Sequence, residues 1–212
     1  FDPTRRREGR DWPLFGYTMV GEARLAHVQA CLEDVVARGV PGDAVEAGVW
    51  RGGTALYMRA VLDRLGATQR RVWAADSFRG MPAPSGHDGG GPDLSGVGAL
   101  AVPLERVQAA FRRFDLLDER VRFLEGWFAD TLPTAPIGAI ALLRLDGDTY
   151  RSTRDALLHL YDRVQPGGWV IVDDYHSWRA CRAAVDDFLA GRGLRPALTR
   201  VDWTAASWRV PE

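Results

Sequence analysis

Cysteine, long hydrophobic runs and net charge are all scarce in this chain. Cys31 and Cys181 are its two cysteines, and since neither has metal-ligand spacing, we expect buried reduced thiols and a cytoplasmic location. No apolar run approaches the roughly 20 residues of a membrane-spanning helix. With 27 basic and 28 acidic residues the net charge is -1, which excludes a global field that collects nucleic acid or anionic lipid. These absences favour a small-molecule partner.

The length and composition of the chain predict one globular domain. A chain of 212 residues suffices for one sizeable core and is short for two. Residues 1–17 are polar, basic and rich in proline, which predicts an extended N-terminal arm or lid. Residues 18–212 are predicted to form the domain. Within it, glycine and proline cluster at residues 80–102, which predicts a mobile loop.

Apolar runs alternate with helical patterns along the domain. Strand-like runs lie at residues 43–49, 71–76, 121–125, 139–146 and 168–174. Helical patterns lie at residues 18–38, 53–65, 104–116, 149–164 and 177–190. Because these strands are too apolar to have a solvated face, the alternation predicts a parallel sheet covered by helices on both sides. The last runs, ALTRVDW and AASWRV, have no helix between them and predict an antiparallel hairpin at the sheet edge.

A glycine-rich turn, EAGVWRGGT, follows the first predicted strand. Open parallel sheets bind ligands at the carboxyl ends of their strands, and Gly48, Gly52 and Gly53 let the backbone approach a ligand closely. Trp50 stands where a pyrophosphate would need a glycine, and the carboxylate of Glu46 would repel that group. The same carboxylate suits a ligand that carries an ammonium group and a sulfonium. S-adenosylmethionine carries both.

The next two strand ends extend this predicted cofactor site. Asp76 ends the second strand and is placed to accept hydrogen bonds from ribose hydroxyls. Trp127 and Phe128 follow the third strand, where an adenine ring could stack on them. Two alternatives stay open: Glu46 and Asp76 could be polar strand ends or caps, and the two aromatic residues could pack in the core.

Two pairs of aspartates close the fourth and fifth strands. Asp146 and Asp148 stand in LRLDGDTYRST, and Asp173 and Asp174 in GGWVIVDDYHSW. Neighbouring strand ends lie about 5 Å apart, so these side chains can converge. No lysine lies nearby in sequence to neutralise them, so we expect a divalent cation. Carboxylate oxygens select Mg²⁺ or a similar ion, whereas zinc would call for histidine or cysteine.

Each aspartate has a predicted role. Asp146, Asp173 and Asp174 are the metal ligands, and Asp148 is the general base. A carboxylate alone is a poor base for an alcohol, whereas a metal ion acidifies the hydroxyl and brings its proton within reach. The alternative for Asp148 and Asp174 is that each caps the helix that follows it.

Six ordered motifs make the chain similar to the TylF-type macrocin O-methyltransferases. They are GVWRGG, VWAADSF, VRFLEGWFADTLPTAPI, LRLDGDTYRST, PGGWVIVDDY and ACRAAVDDF. The resemblance covers nearly the whole chain. It implies the class I methyltransferase fold, a Rossmann-like, doubly wound and mostly parallel α/β sheet of seven strands with an antiparallel C-terminal hairpin.

The resemblance also implies a reaction and its partners. S-adenosylmethionine and Mg²⁺ would be the cofactors, and the substrate would be a glycoside whose deoxysugar hydroxyl is methylated, as on macrolides and aminocoumarins. We expect in-line attack of that hydroxyl oxygen on the methyl carbon, with positioning supplying much of the acceleration. A homodimer or higher homo-oligomer is implied. We expect no nucleic-acid partner and no membrane partner.

Site residues follow from the same resemblance. It implies that Asp146, Asp173 and Asp174 hold the metal and that Asp148 is the base. The implied cofactor contacts are Thr18, Met19, Glu46, Gly48, Val49, Trp50, Asp76, Ser77, Phe78, Gly80, Trp127, Phe128 and Asp146.

Two rival functions stay open. A catechol-type O-methyltransferase would share the fold and Mg²⁺ but would act on a phenolic acceptor. A non-catalytic partner would retain the cofactor fold for assembly.

Overall fold

A computed structural model describes residues 2–89 and 91–211. Within them the strands are β1 (Asp43–Ala47), β2 (Val72–Asp76), β3 (Val121–Glu125), β4 (Ile140–Leu145), β5 (Val164–Val172), β6 (Thr199–Arg200) and β7 (Ala206–Arg209). The α-helices are α1 (Pro3–Glu8), α2 (Glu22–Ala37), α3 (Gly53–Arg64), α4 (Leu104–Arg113), α5 (Phe128–Thr131), α6 (Tyr150–Leu160) and α7 (Arg179–Gly191). Short 3₁₀ helices occupy Gly86–Asp88, Gly98–Leu100, Leu132–Thr134 and Tyr161–Arg163.

The strands form one sheet in the order β3-β2-β1-β4-β5-β7-β6. Strands β1 to β5 pair in parallel, while β7 runs antiparallel between β5 and β6. This confirms the predicted doubly wound sheet and its C-terminal hairpin. The order reverses between β1 and β4, and such a switch point opens a crevice at the carboxyl ends of the strands. A ligand site is therefore expected beside β1 and β4.

Apolar side chains fill both faces of the sheet. Strand β4 is buried along its whole length, and alternate residues point to opposite faces. Leu143 packs in one hydrophobic cluster and Leu142 in the other. Complete burial of a leucine side chain contributes about 1.5–3 kcal/mol. The strand ends that carry the aspartates are thus held by a rigid core.

The N-terminal arm differs from the predicted extended segment because it contains helix α1. Asp2 caps this helix by accepting hydrogen bonds from the main-chain nitrogens of Thr4 and Arg5, and proline follows at its first position. Both are standard signals for a helix start. The role of the arm as a lid stays a prediction.

Helix α2 begins at Glu22 rather than at residue 18. The preceding residues fold back instead, since the Thr18 hydroxyl accepts a hydrogen bond from the main-chain nitrogen of Val20 (3.0 Å). That hydroxyl also lies 3.1 Å from the hydroxyl of Thr54 on α3. Thr18 and its neighbours are thereby tied to the helix that follows the first strand.

Hydrogen bonds connect the loop at residues 80–102 to the rest of the domain at two places. The Asp88 carboxylate accepts from the main-chain nitrogen of Tyr150 at the start of α6 (2.8 Å). Further along, Trp50 donates from its indole nitrogen to the carbonyl of Ala99 (2.9 Å). Mobility of the loop stays a prediction, and Gly90 lies outside the described residues.

Both cysteines, Cys31 and Cys181, are free and buried, as expected of reduced thiols. Among the described helices, none combines the length and apolar character needed to cross a membrane. The cytoplasmic location stays a prediction.

Candidate active site

The turn after β1 lies directly against the end of β4. Gly48 has a φ of 96°, and a Cβ atom there would collide with the main-chain oxygen of Asp146. Main-chain bonds hold the contact on both sides: Gly48 donates to Ala75 (2.9 Å) and Asp146 donates to Ala47 (2.8 Å). Only glycine permits this approach. The predicted cofactor turn and the first aspartate pair are therefore one structural unit.

Asp76 organises the neighbouring strand end. Its carboxylate accepts from the main-chain nitrogens of Val49 (2.7 Å) and Trp50 (3.2 Å) in the β1 turn. The other oxygen accepts from the nitrogen of Phe78 (2.8 Å) and lies 3.4 Å from the Ser77 hydroxyl, which makes its shorter hydrogen bond to the Gly80 carbonyl (2.8 Å). A carboxylate has about four lone-pair sites, so Asp76 keeps acceptor capacity for a ligand while it fixes the turn.

A cleft of about 640 Å³ opens at these strand ends. It brings together ten of the predicted cofactor residues, namely Met19, Gly48, Val49, Trp50, Asp76, Ser77, Gly80, Trp127, Phe128 and Asp146. The Trp127 side chain is 38% exposed, so its ring is free to meet a ligand. Asp148 and Gly147 also line the cleft. The cleft thus reaches the aspartates.

The other three predicted cofactor residues lie elsewhere. Thr18 and Glu46 line an adjoining cavity of about 1470 Å³, which shares Met19 and Asp148 with the cleft. Phe78 is buried in the core, where its ring meets that of Phe123 edge to face. Any contact of Phe78 with a cofactor would come from its main chain.

Asp146, Asp148 and Asp174 form the acidic trio of the site. One carboxylate oxygen of each lies within 4.8 Å of those of the other two. The helix caps predicted as an alternative are wrong, because Thr149 caps α6 and α7 has no side-chain cap. The carboxylates of Asp148 and Asp174 are therefore available for another task.

The trio carries more negative charge than its surroundings compensate. Burial, reinforced by the neighbouring carboxylates, raises the pKa of Asp148 to about 7. Burial likewise raises the pKa of Asp146 and that of Asp174. One oxygen of Asp174 is buried without a hydrogen-bond partner among the described residues. This all-oxygen set fits a hard divalent cation such as Mg²⁺.

Arg144 was not among the site residues predicted from the sequence. It is fully buried in β4, and its Nη1 contacts Glu46 Oε1 (2.5 Å) and Asp146 Oδ2 (2.9 Å). Its Nη2 contacts Asp173 Oδ1 at 2.5 Å. The signal was present in the sequence, as a lone charge within the apolar run LLRLD, because buried charges are paired.

Asp173 contacts two arginines and is not part of the acidic trio. Its Oδ1 faces Arg144, and its Oδ2 is paired with Arg24 Nη1. Arg24 Nε in turn contacts Asp202 Oδ2 (3.0 Å). Both oxygens of Asp173 are thus engaged by guanidinium groups, and its role as a metal ligand stays a prediction.

Glu46 is 1% exposed and differs from a free strand-end carboxylate. One oxygen is held by Arg144, while the other is buried without a hydrogen-bond partner among the described residues. Burial raises the pKa of Glu46 to about 8. One oxygen of Glu46 is therefore left for a ligand in the cavity that this residue lines.

Comparison with known proteins places these features in a family. Residues 1–210 match the family described as Macrocin-O-methyltransferase (TylF). An 8-demethyl-8-(2,3-dimethoxy-alpha-L-rhamnosyl)-tetracenomycin-C 4'-O-methyltransferase of Streptomyces olivaceus is 53% identical over 218 residues, covering 98% of this chain and 81% of that protein. The Demethyldecarbamoylnovobiocin O-methyltransferase of Streptomyces niveus is 48% identical over 209 residues, covering 96% and 79%.

A solved structure agrees with the sequence relatives. The structure of the O-methyltransferase NovP superposes with a TM-score of 0.93 at 46% identity, covering 99% of this chain and 88% of that one. This match confirms the class I methyltransferase fold that the sequence predicted.

Proposed function

Because the chain belongs to the TylF family of macrocin O-methyltransferases, and is therefore an O-methyltransferase, we propose that it methylates a sugar hydroxyl of a glycosylated natural product. S-adenosylmethionine, which methyltransferase relatives imply, would be the donor and Mg²⁺ the metal. The observation that carries the proposal is that Asp146 and Asp148 belong both to the cofactor cleft and to the acidic trio. Methyl donor and acidic cluster would therefore meet at one point.

The cofactor would be held by the residues of the cleft. Asp76 has acceptor capacity left for ribose hydroxyls, and the exposed face of Trp127 suits an adenine ring. Glu46 offers its second oxygen to a cationic group. A cofactor bound in this way would lie beside the trio, because Asp146 and Asp148 line the same cleft.

Mg²⁺ would be held by carboxylates of the trio. Asp146 and Asp174 belong to the predicted ligand set and to the observed trio, so we propose these two as ligands. Asp173 stays in the predicted ligand set, and each of its oxygens keeps a lone pair beside its arginine contact. When bound, the ion would lower the pKa of an acceptor hydroxyl beside it.

Asp148 would then act as the general base. Its raised pKa of about 7 lies near neutral pH, where proton acceptance is most effective. The carboxylate would take the proton of the acceptor hydroxyl as the new oxygen–carbon bond forms and the carbon–sulfur bond of the donor breaks. The remaining walls of the cleft hold the reactants in line and exclude water.

An acceptor panel tests the proposal. Purified protein is incubated with S-adenosylmethionine, Mg²⁺ and matched sets of deoxysugar glycosides and catechols, and the products are examined by mass spectrometry. We expect glycosides that carry one additional methyl group. Methylation of the catechols alone would favour the catechol-type rival, and no turnover of any hydroxyl acceptor would favour the non-catalytic one.

The metal has a separate test. EDTA should abolish turnover of the best acceptor, and excess Mg²⁺ should restore it. Undiminished activity in chelator would remove the metal from the proposal while leaving the acceptor assignment intact.

A further inference from the structure

We propose that Arg144 is a positioning residue that fixes the carboxylates at the strand ends in the arrangement that binds the cation. The inference rests on the proposed function, since it concerns the same metal. A single buried guanidinium reaches Glu46, Asp146 and Asp173. These residues come from β1, from the end of β4 and from the end of β5, so one side chain fixes carboxylates from three neighbouring strands.

Strand register explains how Arg144 reaches all three. Arg144 lies opposite Glu46 in the pairing of β1 with β4 and opposite Ile171, two residues before Asp173, in the pairing of β4 with β5. Asp146 follows two residues later, directly after β4, where its main-chain nitrogen still bonds to Ala47 of β1, so its side chain returns to the same face. The geometry is built into the sheet and does not depend on a flexible loop.

The Asp146 carboxylate contacts Arg144 and also belongs to the acidic trio. Its Oδ2 is held by Arg144 at 2.9 Å. A planar guanidinium offers several donors in fixed directions and can hold such a carboxylate in one orientation. Without it, the carboxylates of Glu46, Asp146 and Asp173 would lose their shared cation, and Asp146 would be free to rotate away from Asp148 and Asp174.

Lysine cannot replace Arg144 in this role. An ammonium group is a single point charge on a flexible stem, and it cannot hold several carboxylates in a fixed plane. Arg144→Lys should therefore keep the charge and lose the orientation. Groups that orient metal ligands contribute about 10–100-fold to metal affinity.

The test measures Mg²⁺ binding directly, without turnover. Metal-free protein with S-adenosylhomocysteine is titrated with Mg²⁺ by calorimetry, and thermal unfolding is recorded alongside. Arg144→Lys should weaken Mg²⁺ affinity by about 10–100-fold, and Arg144→Met should weaken it at least as much. Where Arg144→Met fails to fold, Arg144→Lys decides.

Arg59 is the matched control. It is also buried (2% exposed) and also pairs with two carboxylates, those of Asp63 and Asp118, but neither belongs to the acidic trio. Arg59→Lys should lower the melting temperature while leaving Mg²⁺ affinity unchanged.

Two outcomes would overturn the inference: Mg²⁺ affinity in folded Arg144→Lys equal to that of the wild type, or an equal loss in Arg59→Lys. If the wild type itself binds no Mg²⁺, the metal assignment in the proposed function fails instead, so the two failures are distinguishable.

Discussion

Two groups of arginines and carboxylates in this molecule have opposite electrostatic character. In the Arg59 cluster, Arg59 and Arg120 each pair with both Asp63 and Asp118 at 2.5–2.9 Å. Hydrogen bonds, first from Arg59, lower the pKa of Asp63. For Asp118 partial burial opposes the shift, but hydrogen bonds from Arg59 and Arg120 prevail and lower the pKa well below its usual range. Two cations balance two anions.

In the site, cations are outnumbered. Arg144 and Arg24 pair with the carboxylates of Glu46, Asp146, Asp173 and Asp202, and those of Asp148 and Asp174 lie close to Asp146. Burial raises the pKa of Glu46, Asp146, Asp148 and Asp174. The balanced cluster therefore stabilises the fold, whereas the unbalanced one holds carboxylates that retain protons which a bound cation would displace.

The largest expected effect is a loss of turnover when Asp148, the proposed general base, is replaced. Asp148→Asn should lower kcat by about 10²–10⁴-fold, because the general base is lost, while cofactor affinity stays nearly unchanged. Turnover is followed with the best glycoside acceptor, and S-adenosylmethionine binding by calorimetry. Asp118→Asn, in the Arg59 cluster, is the control and should keep the wild-type kcat. Near-normal turnover in Asp148→Asn would remove it from the role of base.

The second prediction concerns Mg²⁺ and pH. Because burial raises the pKa of Asp148 to about 7 and that of Glu46 to about 8, the folded metal-free protein binds protons that the unfolded chain releases near pH 4. Its free energy of unfolding should fall as pH rises from about 4 to 8. Mg²⁺ competes with these protons, so it should stabilise the protein more at pH 8 than at pH 5.5.

The expected size of the effect makes it measurable. Mg²⁺ at about 100 times its Kd adds about 2.7 kcal/mol to the free energy of unfolding. For a chain of this length that corresponds to a melting-temperature increase of about 5–10 °C. Differential scanning fluorimetry at both pH values checks it, with Asp118→Asn as a control that should keep the full shift. Equal shifts at the two pH values would contradict the expectation.

The smallest expected effect lies in the Arg59 cluster. The pKa of Asp118 is lowered in the folded protein, so its contribution to stability is present above about pH 4 and is lost as pH falls below that value. Allowing for solvent screening, Asp118→Asn should cost about 1 kcal/mol at pH 7. The cost should shrink toward pH 2. Urea unfolding at the two pH values measures it, and a constant difference would count against a charge-based role.

Much of the fold, and most of the predicted residues that line the cleft, followed from the sequence. Alternating apolar runs define the parallel sheet, and polar residues that interrupt such runs mark its strand ends. Asp146 and Asp174 were predicted by that reasoning, and the structure brings them together with Asp148. Strand ends are predictable because they depend on local sequence: each lies where an apolar run stops at a polar residue.

Pairings between distant segments were not predictable in the same way. Arg24 lies 149 residues before Asp173, and sequence spacing alone does not reveal that the two meet. Phe78 follows a strand-end aspartate, as a cofactor contact would, yet its side chain turns into the core. Arg144, a lone charge in an apolar run, and Asp2–Pro3, a helix cap followed by proline, do carry local signals in the sequence.

The main-chain conformation of Asp148 determines which substitutions can be interpreted. Its φ of 55° lies in the left-handed region, which asparagine and aspartate adopt far more readily than longer side chains. Asparagine at this position therefore preserves the local shape, and such a protein could serve as a trap in which donor and acceptor are crystallised together unreacted. Glutamate would keep the charge but distort the backbone, so inactivity of Asp148→Glu would reveal nothing about the chemistry.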